Sequence, residues 1–279
     1  MRPDRAPLPI VVGPLGLNLS SDLIGRLRAR EFRDQHRLFF AVGTRFLVRA
    51  VDQGASIAGL IVSTARLNPL VGTVVHRIRK AGAPILDVPP RVMDELAQST
   101  EPQSVIVLCN QTWTVLPETV KRSDLWLGLE SVRTPGNLGT LLRSAEAAGS
   151  TGVFGFGRPS DLPDPFDPAA VRASMGAVFG LRYVRTTHQE FRKWKLRYEL
   201  SVLGASGEAS VDYRSVSFRR PIILMLGNER SGLSEGQRAT CDGFIKIPIC
   251  GGVDSLNLAM AGTLLLFEAR NQRHPPRRR

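Results

Sequence analysis

Three glycine-containing segments carry most of the polar side chains in this sequence that could line a ligand site. The first, second and third segments are Arg133-Thr-Pro-Gly-Asn-Leu-Gly, Leu226-Gly-Asn-Glu-Arg-Ser-Gly-Leu-Ser and Ile247-Pro-Ile-Cys-Gly-Gly-Val-Asp-Ser-Leu-Asn. Each is interpreted as lying at a strand end, and ligands of open α/β sheets collect at strand ends, where glycine lets backbone amides approach them. One such segment alone is typical of a turn. Together they predict a shared polar pocket, bordered by Asn137, Arg143, Asn228, Glu229, Ser255 and Asn257.

Other catalytic chemistries find little support. Neither GxxxxGK nor GxGxxG occurs, which argues against nucleotide hydrolysis and a dinucleotide site, and the GxSxG pattern of serine hydrolases is also missing. The histidines are scattered, without HExxH or carboxylates at metal-ligand spacing. The three cysteines have no CxxC spacing. We therefore expect neither a catalytic metal nor a disulfide framework.

The charge balance favours an anionic partner. The formal net charge is +12, mostly from arginine, whose planar guanidinium binds phosphate through two hydrogen bonds. The same excess is compatible with an ordinary basic protein, because arginine content also follows genomic base composition. The tail Arg277-Arg278-Arg279 is interpreted either as a phosphate-binding end or as a solvated terminus. Neither a secretory signal nor an apolar run of about 20 residues is present, so we expect a soluble, cytoplasmic protein outside the membrane.

Alternating apolar runs and helical periodicities divide the chain into two α/β regions. We interpret residues 1–34 as an N-terminal extension, residues 35–112 as a small α/β domain, residues 113–123 as a linker and residues 124–279 as a larger, mostly parallel α/β domain. In the larger domain, strands are predicted at 125–129, 152–156, 200–204 and 222–226, and helices at 137–148 and 255–270. The last helix is predicted to bury Leu256, Met260, Leu264 and Phe267 or their neighbours, against the core or a subunit interface.

These segments resemble the motifs of the SpoU (TrmH) family of RNA ribose 2′-O-methyltransferases, in the SPOUT superfamily. Pro135-Gly-Asn-Leu-Gly-Thr-Leu-Leu-Arg143-Ser-Ala-Glu-Ala-Ala-Gly149 resembles the first motif. The second segment resembles the second motif, and Ile247-Pro-Ile with Ser255-Leu-Asn-Leu-Ala-Met-Ala resembles the third. Order and spacing agree across residues 124 to 272. Arg172-Ala-Ser-Met-Gly-Ala is similar to a further recurrent family segment, and residues 35–110 loosely resemble the ribosomal-protein-like domain with which many relatives hold RNA.

The resemblance implies a trefoil-knotted parallel-sheet catalytic domain, a homodimer, and methyl transfer to a ribose 2′-hydroxyl of structured RNA, with ribosomal RNA expected by analogy. It implies S-adenosylmethionine as cofactor, held by Leu226, Gly227, Asn228, Ile247, Ile249 and Leu256. It assigns the catalytic roles to Arg143, Asn137, Glu229, Ser255 and Asn257, with RNA backbone contacts at Arg133 and Arg172. No metal is implied.

Departures from the family pattern keep alternatives open. Leu258-Ala259 stands where relatives usually have valine and serine. A catalytically inactive RNA-binding protein is therefore an alternative. In the smaller domain, Val42-Gly43 stands where relatives often have Glu-Gly. Transfer RNA is an alternative substrate, and a small molecule is another. Ser255, Asn257 and Asn137 also suit helix caps, and Glu229 suits an ion pair with Arg230 or Arg143.

The family's assignment of Arg143 as the proton acceptor is physically demanding. With a solution pKa of about 13.8, a neutral arginine at pH 7 costs about 9 kcal/mol, at about 1.36 kcal/mol per pKa unit. We therefore hypothesise that Arg143 stays charged, grips an RNA phosphate and stabilises the developing alkoxide.

Overall fold

The computed structural model describes residues 10–157 and 162–274. The chain divides into two compact units, the first comprising Met1–Gln111 with Phe166–Gly180 and the second Thr112–Pro165 with Leu181–Arg279. The segment that begins at Arg172 therefore belongs to the first unit. The basic tail Arg277-Arg278-Arg279 lies outside the described residues.

Helices and strands alternate along most of the described chain. The helices are α1 (Asp22–Arg26), α2 (Arg30–His36), α3 (Thr44–Asp52), α4 (Pro69–Lys80), α5 (Pro90–Ala97), α6 (Pro135–Ala147), α7 (Pro168–Ser174), α8 (His188–Lys195), α9 (Glu235–Arg238) and α10 (Leu258–Arg273). The strands are β1 (Leu38–Val42), β2 (Ile57–Val62), β3 (Ile85–Asp87), β4 (Val105–Asn110), β5 (Leu125–Leu129), β6 (Gly152–Phe156), β7 (Arg182–Thr186), β8 (Ser201–Ala205), β9 (Val211–Asp212), β10 (Ile222–Leu226) and β11 (Gly243–Lys246). None of these helices is long and apolar enough to cross a membrane.

The first unit is built on a mixed sheet with strand order β1-β4-β2-β3. Strand β4 is antiparallel to both of its neighbours, and β3 runs parallel to β2. All six residues of β2 are buried and apolar or glycine, as expected for an inner strand. Leu23, Ile24 and Leu27 also lie in this core, so α1 packs as part of the unit although it falls within the predicted N-terminal extension.

The second unit is built on a seven-stranded sheet with order β7-β6-β5-β10-β8-β11-β9, and every neighbouring pair is parallel. The predicted α/β class with a parallel sheet is confirmed. Strand β10 lies between β5 and β8, and its five residues are buried. The trefoil knot stays a prediction.

Helix α10 is apolar on more than one side, and the structure decides which side is buried. The core receives Leu258, Ala259, Gly262, Leu265, Leu266 and Ala269. Of the residues named from the sequence, Leu256 precedes the helix and is exposed, and Phe267 is half-buried. A side chain at Gly262 would collide with Leu141, so glycine permits the close approach of α10 to α6. By contrast, Met260 is 60% and Leu264 is 42% exposed.

The sheet brings two of the glycine segments together. Leu129, the last residue of β5, pairs with Leu226, the last residue of β10. The first and second segments therefore leave the sheet side by side at its carboxyl-terminal edge, where the third segment follows β11. Strands β7, β9 and β11 were not predicted, because they are short or, like β7, carry arginine among their apolar residues.

Candidate active site at the carboxyl ends of the parallel strands

A chain of side-chain hydrogen bonds joins the three glycine segments. Asn257 Nδ2 donates to Asn137 Oδ1 at 3.2 Å, and Asn137 Nδ2 donates to Glu229 Oε1 at 3.1 Å. The other carboxylate oxygen, Glu229 Oε2, accepts from the backbone N–H of Arg133 at 3.4 Å. Side chains 92 and 120 residues apart in sequence thus form one polar network that joins the three segments.

Asn257 has two roles in this network. It is the N-cap of α10, and its Oδ1 accepts from the backbone N–H groups of Ala259 at 2.9 Å and Met260 at 3.4 Å. Its Nδ2 takes no part in the cap and donates to Asn137. The capping bonds and the bond to Asn137 coexist, since they use different atoms of the same amide. Ser255 is exposed and forms no hydrogen bond within the described residues.

Asn137 does not cap its helix. The N-cap position of α6 belongs to Thr134, whose Oγ1 accepts a hydrogen bond from Asn137 Nδ2 at 3.1 Å. The two hydrogens of Nδ2 are thus divided between Thr134 and Glu229. Glu229 in turn forms no ion pair with Arg143 or Arg230 in the described part of the chain. Its carboxylate instead holds the first segment against the second.

The second segment folds back on itself directly after β10. Asn228 and Gly232 exchange backbone hydrogen bonds of 2.8 and 3.0 Å, while Asn228 Oδ1 accepts from the backbone of Arg230 at 3.0 Å. A side chain at Gly227 would collide with the backbone of Gly232, so only glycine permits this turn. Asn228 Nδ2 also donates to Ser131 Oγ at 3.3 Å, two residues before the first segment.

Gln237 was not predicted from the sequence, and its side chain hydrogen-bonds the first residue of the second segment. Its Nε2 donates to the carbonyl of Leu226 at 2.9 Å within the core. Gln237 also forms a reciprocal capping box with Ser234 at the start of α9. The signal was present in the sequence, because serine followed three residues later by glutamine is a capping-box pattern. The Ser234 hydroxyl also hydrogen-bonds Glu130, a second residue that was not predicted.

The predicted cofactor residues differ in their surroundings. Leu226 and Gly227 are buried, and Ile247 is half-buried. Ile249 and Leu256 are each 38% exposed, on a stretch between β11 and α10 that has no regular structure. Within the described residues, the backbone groups of 249–256 form no hydrogen bonds. This stretch therefore presents free amides and carbonyls beside apolar side chains.

The structure does not join Arg143 to the network. Arg143 lies six residues beyond Asn137 on α6, about 9 Å along the helix axis at about 1.5 Å per residue. It is exposed, and its side chain forms neither a hydrogen bond nor an ion pair with any described residue. Its guanidinium is therefore available to an external anion. Arg133 is exposed in the first segment, and Arg172 is exposed on α7 in the first unit.

Comparison with protein families assigns both parts of the chain. The SpoU rRNA Methylase family matches residues 124–267, and the MRM3-like substrate binding domain matches residues 23–107. The chain belongs to the SpoU rRNA methylase family. The resemblance drawn from the three segments is thereby confirmed. Within the described ranges, no group of three or more His, Cys, Asp or Glu side chains could hold a metal ion.

Relatives and solved structures agree with this SpoU assignment. The chain is 30% identical to a 23S rRNA (uridine(2479)-2′-O)-methyltransferase of Streptomyces viridochromogenes, over 84% of this chain and 83% of the relative. It is 31% identical to the 23S rRNA (guanosine-2′-O-)-methyltransferase RlmB of Pseudomonas putida, over 77% and 89%. The crystal structure of an AdoMet-bound rRNA methyltransferase from Sinorhizobium meliloti superposes with a TM-score of 0.82 at 32% identity, covering 90% of this chain and 94% of that one.

Proposed function

We propose that this protein transfers the methyl group of S-adenosylmethionine to a ribose 2′-hydroxyl of ribosomal RNA. The observation that carries the proposal is the network of Asn137, Glu229 and Asn257, which unites the three SpoU motif segments at one edge of the parallel sheet. Membership of the SpoU rRNA methylase family supports the reaction. The names of the relatives support ribosomal RNA, since both specify 23S rRNA.

S-adenosylmethionine would be held by Leu226, Gly227, Asn228, Ile247, Ile249 and Leu256. The residues present suit this cofactor, because unpaired backbone groups at 249–256 can hydrogen-bond its polar edges while Ile249 and Leu256 offer apolar contact. When bound, it supplies a methyl group on a positively charged sulfur. Gln237 donates a hydrogen bond to the carbonyl of Leu226, so this carbonyl is held in place before the cofactor binds.

Arg143 acts as a charged stabiliser in this proposal. The ribose oxygen forms a bond to the methyl carbon, the carbon–sulfur bond breaks with its electron pair going to sulfur, and the hydroxyl proton leaves to water. The free guanidinium of Arg143 grips a phosphate and faces the oxygen as negative charge develops on it. Asn137, Glu229, Ser255 and Asn257 orient the ribose. Arg133 and Arg172 are proposed to contact the RNA backbone.

The decisive experiment is methyl transfer from labelled S-adenosylmethionine to separated ribosomal and transfer RNA. Wild type, Arg143→Ala and the matched control Arg197→Ala are compared, since Arg197 is an exposed arginine of the same unit outside the site. Label in ribosomal RNA at alkali-resistant 2′-O-methylated positions, lost only with Arg143→Ala, is expected. Label confined to transfer RNA would redirect the substrate. Tight cofactor and RNA binding without label would favour the inactive RNA-binding protein.

A pH–rate profile tests the role of Arg143. If Arg143 stays charged, Arg143→Ala is expected to lower the rate by a similar factor at every pH tested and to remove no ionisation from the profile. Arg143→Lys, which keeps a charge without the planar fork, is expected to retain more activity than Arg143→Ala. A limiting ionisation that disappears in both variants would contradict the charged role and identify Arg143 as the base.

We also propose a homodimer that uses the exposed apolar side of α10 and the preceding stretch. Val253 is 61%, Met260 60% and Leu264 42% exposed, and these side chains would gain from burial against a partner subunit. Light scattering is expected to give a dimer that Leu264→Lys dissociates. Leu196→Lys is the matched control, because Leu196 is 87% exposed on another element. A monomeric wild type, or equal effects of both variants, would contradict this interface.

We propose that one part of the chain binds the RNA and the other carries out catalysis. Residues 35–112 hold the RNA, residues 113–123 link the domains, and residues 124–279 form a catalytic domain in which the chain threads a trefoil knot. The match of residues 23–107 to a substrate binding domain supports the first assignment. The parallel sheet with β10 between β5 and β8 and the SpoU family membership support the second. Action on ribosomal RNA would place the protein in the cytoplasm.

A further inference from the structure

A basic cavity of about 570 Å³ lies in the second unit, away from the site described above. Its lining includes four arginines and one histidine, with no aspartate or glutamate among the described lining residues: Arg122, Arg219, Arg270, Arg273 and His274. Like charges gathered at one cavity repel one another, and a bound anion offsets that repulsion. The cavity therefore suits an anionic ligand.

The cavity opens at the amino-terminal edge of the parallel sheet. Leu125, the first residue of β5, and Thr151, which precedes β6, lie in its wall. Ala148 follows the end of α6, a helix of 13 residues that spans about 20 Å at about 1.5 Å per residue. Because Asn137 stands in the first turn of α6, this length separates the cavity from the catalytic network. One nucleotide cannot reach both, whereas a structured RNA can.

Arg273 is the lining arginine that has a structural role. Its guanidinium donates to the backbone carbonyls of Phe218 at 2.7 Å, Ser123 at 2.7 Å, Asp124 at 3.2 Å and Arg220 at 2.7 Å. Burial lowers the pKa of Arg273, and the Asp124 carboxylate opposes that effect. Arg273 ties the chain before β5 and β10 to α10, so its loss would disturb the fold.

The other three arginines of the lining make no such contacts with backbone carbonyls. Arg122, Arg219 and Arg270 are exposed, and none forms an ion pair or a hydrogen bond through its side chain to another described residue. Arg270 lies over the ring of Phe267, 5.9 Å from its centroid. A cation in the last turn of α10 complements the helix dipole, which accounts for Arg270. It does not account for Arg122 and Arg219, which lie on loops before β5 and β10.

We propose that this cavity binds phosphate groups of the RNA backbone, remote from the nucleotide that is methylated. The inference rests on the proposed RNA substrate and adds to it a second contact region. Phosphate contacts position a protein on RNA without reading sequence, and arginine forks match phosphate oxygens. The cavity thereby holds the RNA in a fixed orientation while the ribose lies at the carboxyl-terminal edge of the sheet.

The test neutralises the three exposed arginines together. The variant Arg122→Gln/Arg219→Gln/Arg270→Gln is compared with Arg192→Gln/Lys193→Gln/Arg197→Gln, which removes equal charge from exposed positions on and after α8. Binding of the RNA fraction methylated by the wild type is measured by fluorescence anisotropy across a series of KCl concentrations. Each lost phosphate contact lowers the slope of log K against log salt by about 0.7 to 0.9, so the first variant is expected to lower it by about 2 to 3.

The same variants are assayed for methyl transfer, cofactor affinity, thermal stability and oligomeric state. The cavity variant is expected to raise the KM for RNA at least tenfold, with wild-type kcat, S-adenosylmethionine affinity and Tm, while the control variant stays near the wild type. An unchanged salt slope and KM, or an equal loss in both variants, would overturn the proposal. So would a change of oligomeric state, which would mark a protein interface. Failure of the wild type to bind or methylate RNA would instead refute the proposed function.

Discussion

Substitutions of Asn257 separate two interactions made by one side chain. Its Oδ1 caps α10 through Ala259 and Met260, and its Nδ2 donates to Asn137. Asn257→Asp keeps an oxygen for the cap but removes the donor. Asn257→Ala removes both. If the network orients the ribose, activity and stability will therefore respond differently to the two changes.

The expected magnitudes follow from these contacts. Loss of an N-cap side chain costs about 1 kcal/mol, which lowers Tm by about 2–4 °C in a domain of this size. Asn257→Asp should lower Tm less than Asn257→Ala does, because aspartate caps as well as asparagine and its charge suits a helix N-terminus. The lost hydrogen bond to Asn137 is worth about 0.5–1.5 kcal/mol, and the new carboxylate faces an amide oxygen. We therefore expect kcat/KM to fall on the order of tenfold.

Calorimetry and single-turnover methyl transfer on the same preparations check this prediction. Both variants should lose activity, and Asn257→Ala should lose more stability than Asn257→Asp. An Asn257→Asp protein with wild-type kcat/KM would refute the network's role in catalysis. Equal losses of Tm in the two variants would refute the assignment of Asn257 as the cap.

Further predictions concern the support of the cofactor site and the thiols. Gln237→Leu leaves the buried carbonyl of Leu226 without its donor, at a cost of about 1–3 kcal/mol, and should weaken S-adenosylmethionine binding in calorimetric titration. Gln272→Leu, which loses similar backbone bonds elsewhere, should lower Tm while leaving that affinity intact; equal affinities would count against Gln237. Burial raises the pKa of Cys241 to about 11, so its iodoacetamide labelling should rise about tenfold per pH unit up to that pH, and its contribution to stability should fall as pH rises from about 8.5 towards 11. Exposed Cys250, in the third segment, should be protected by S-adenosylmethionine; cofactor-insensitive labelling would argue for a different cofactor site.

The glycine segments could be found from the sequence because their constraints are local. Gly227 must be small where the chain folds back against Gly232, and Asn257 precedes an apolar helical run in the manner of an N-cap. Strand β10 was also predictable, since five consecutive apolar residues favour a buried strand. Gln237 belonged to this class as well, through its capping box with Ser234.

Only the tertiary structure decided which of these residues meet. Asn137, Glu229 and Asn257 are far apart in sequence, and their hydrogen bonds exist because parallel strands β5 and β10 end in register while α10 returns against α6. The buried side of α10 was likewise undetermined, since its apolar residues surround the helix and the packing against α6 of the side that contains Gly262 selects which of them are buried. Local sequence patterns therefore determined the elements and the motif segments. The long-range packing determined the hydrogen-bond partners, because those contacts depend on strand order and helix approach, which periodicity does not encode.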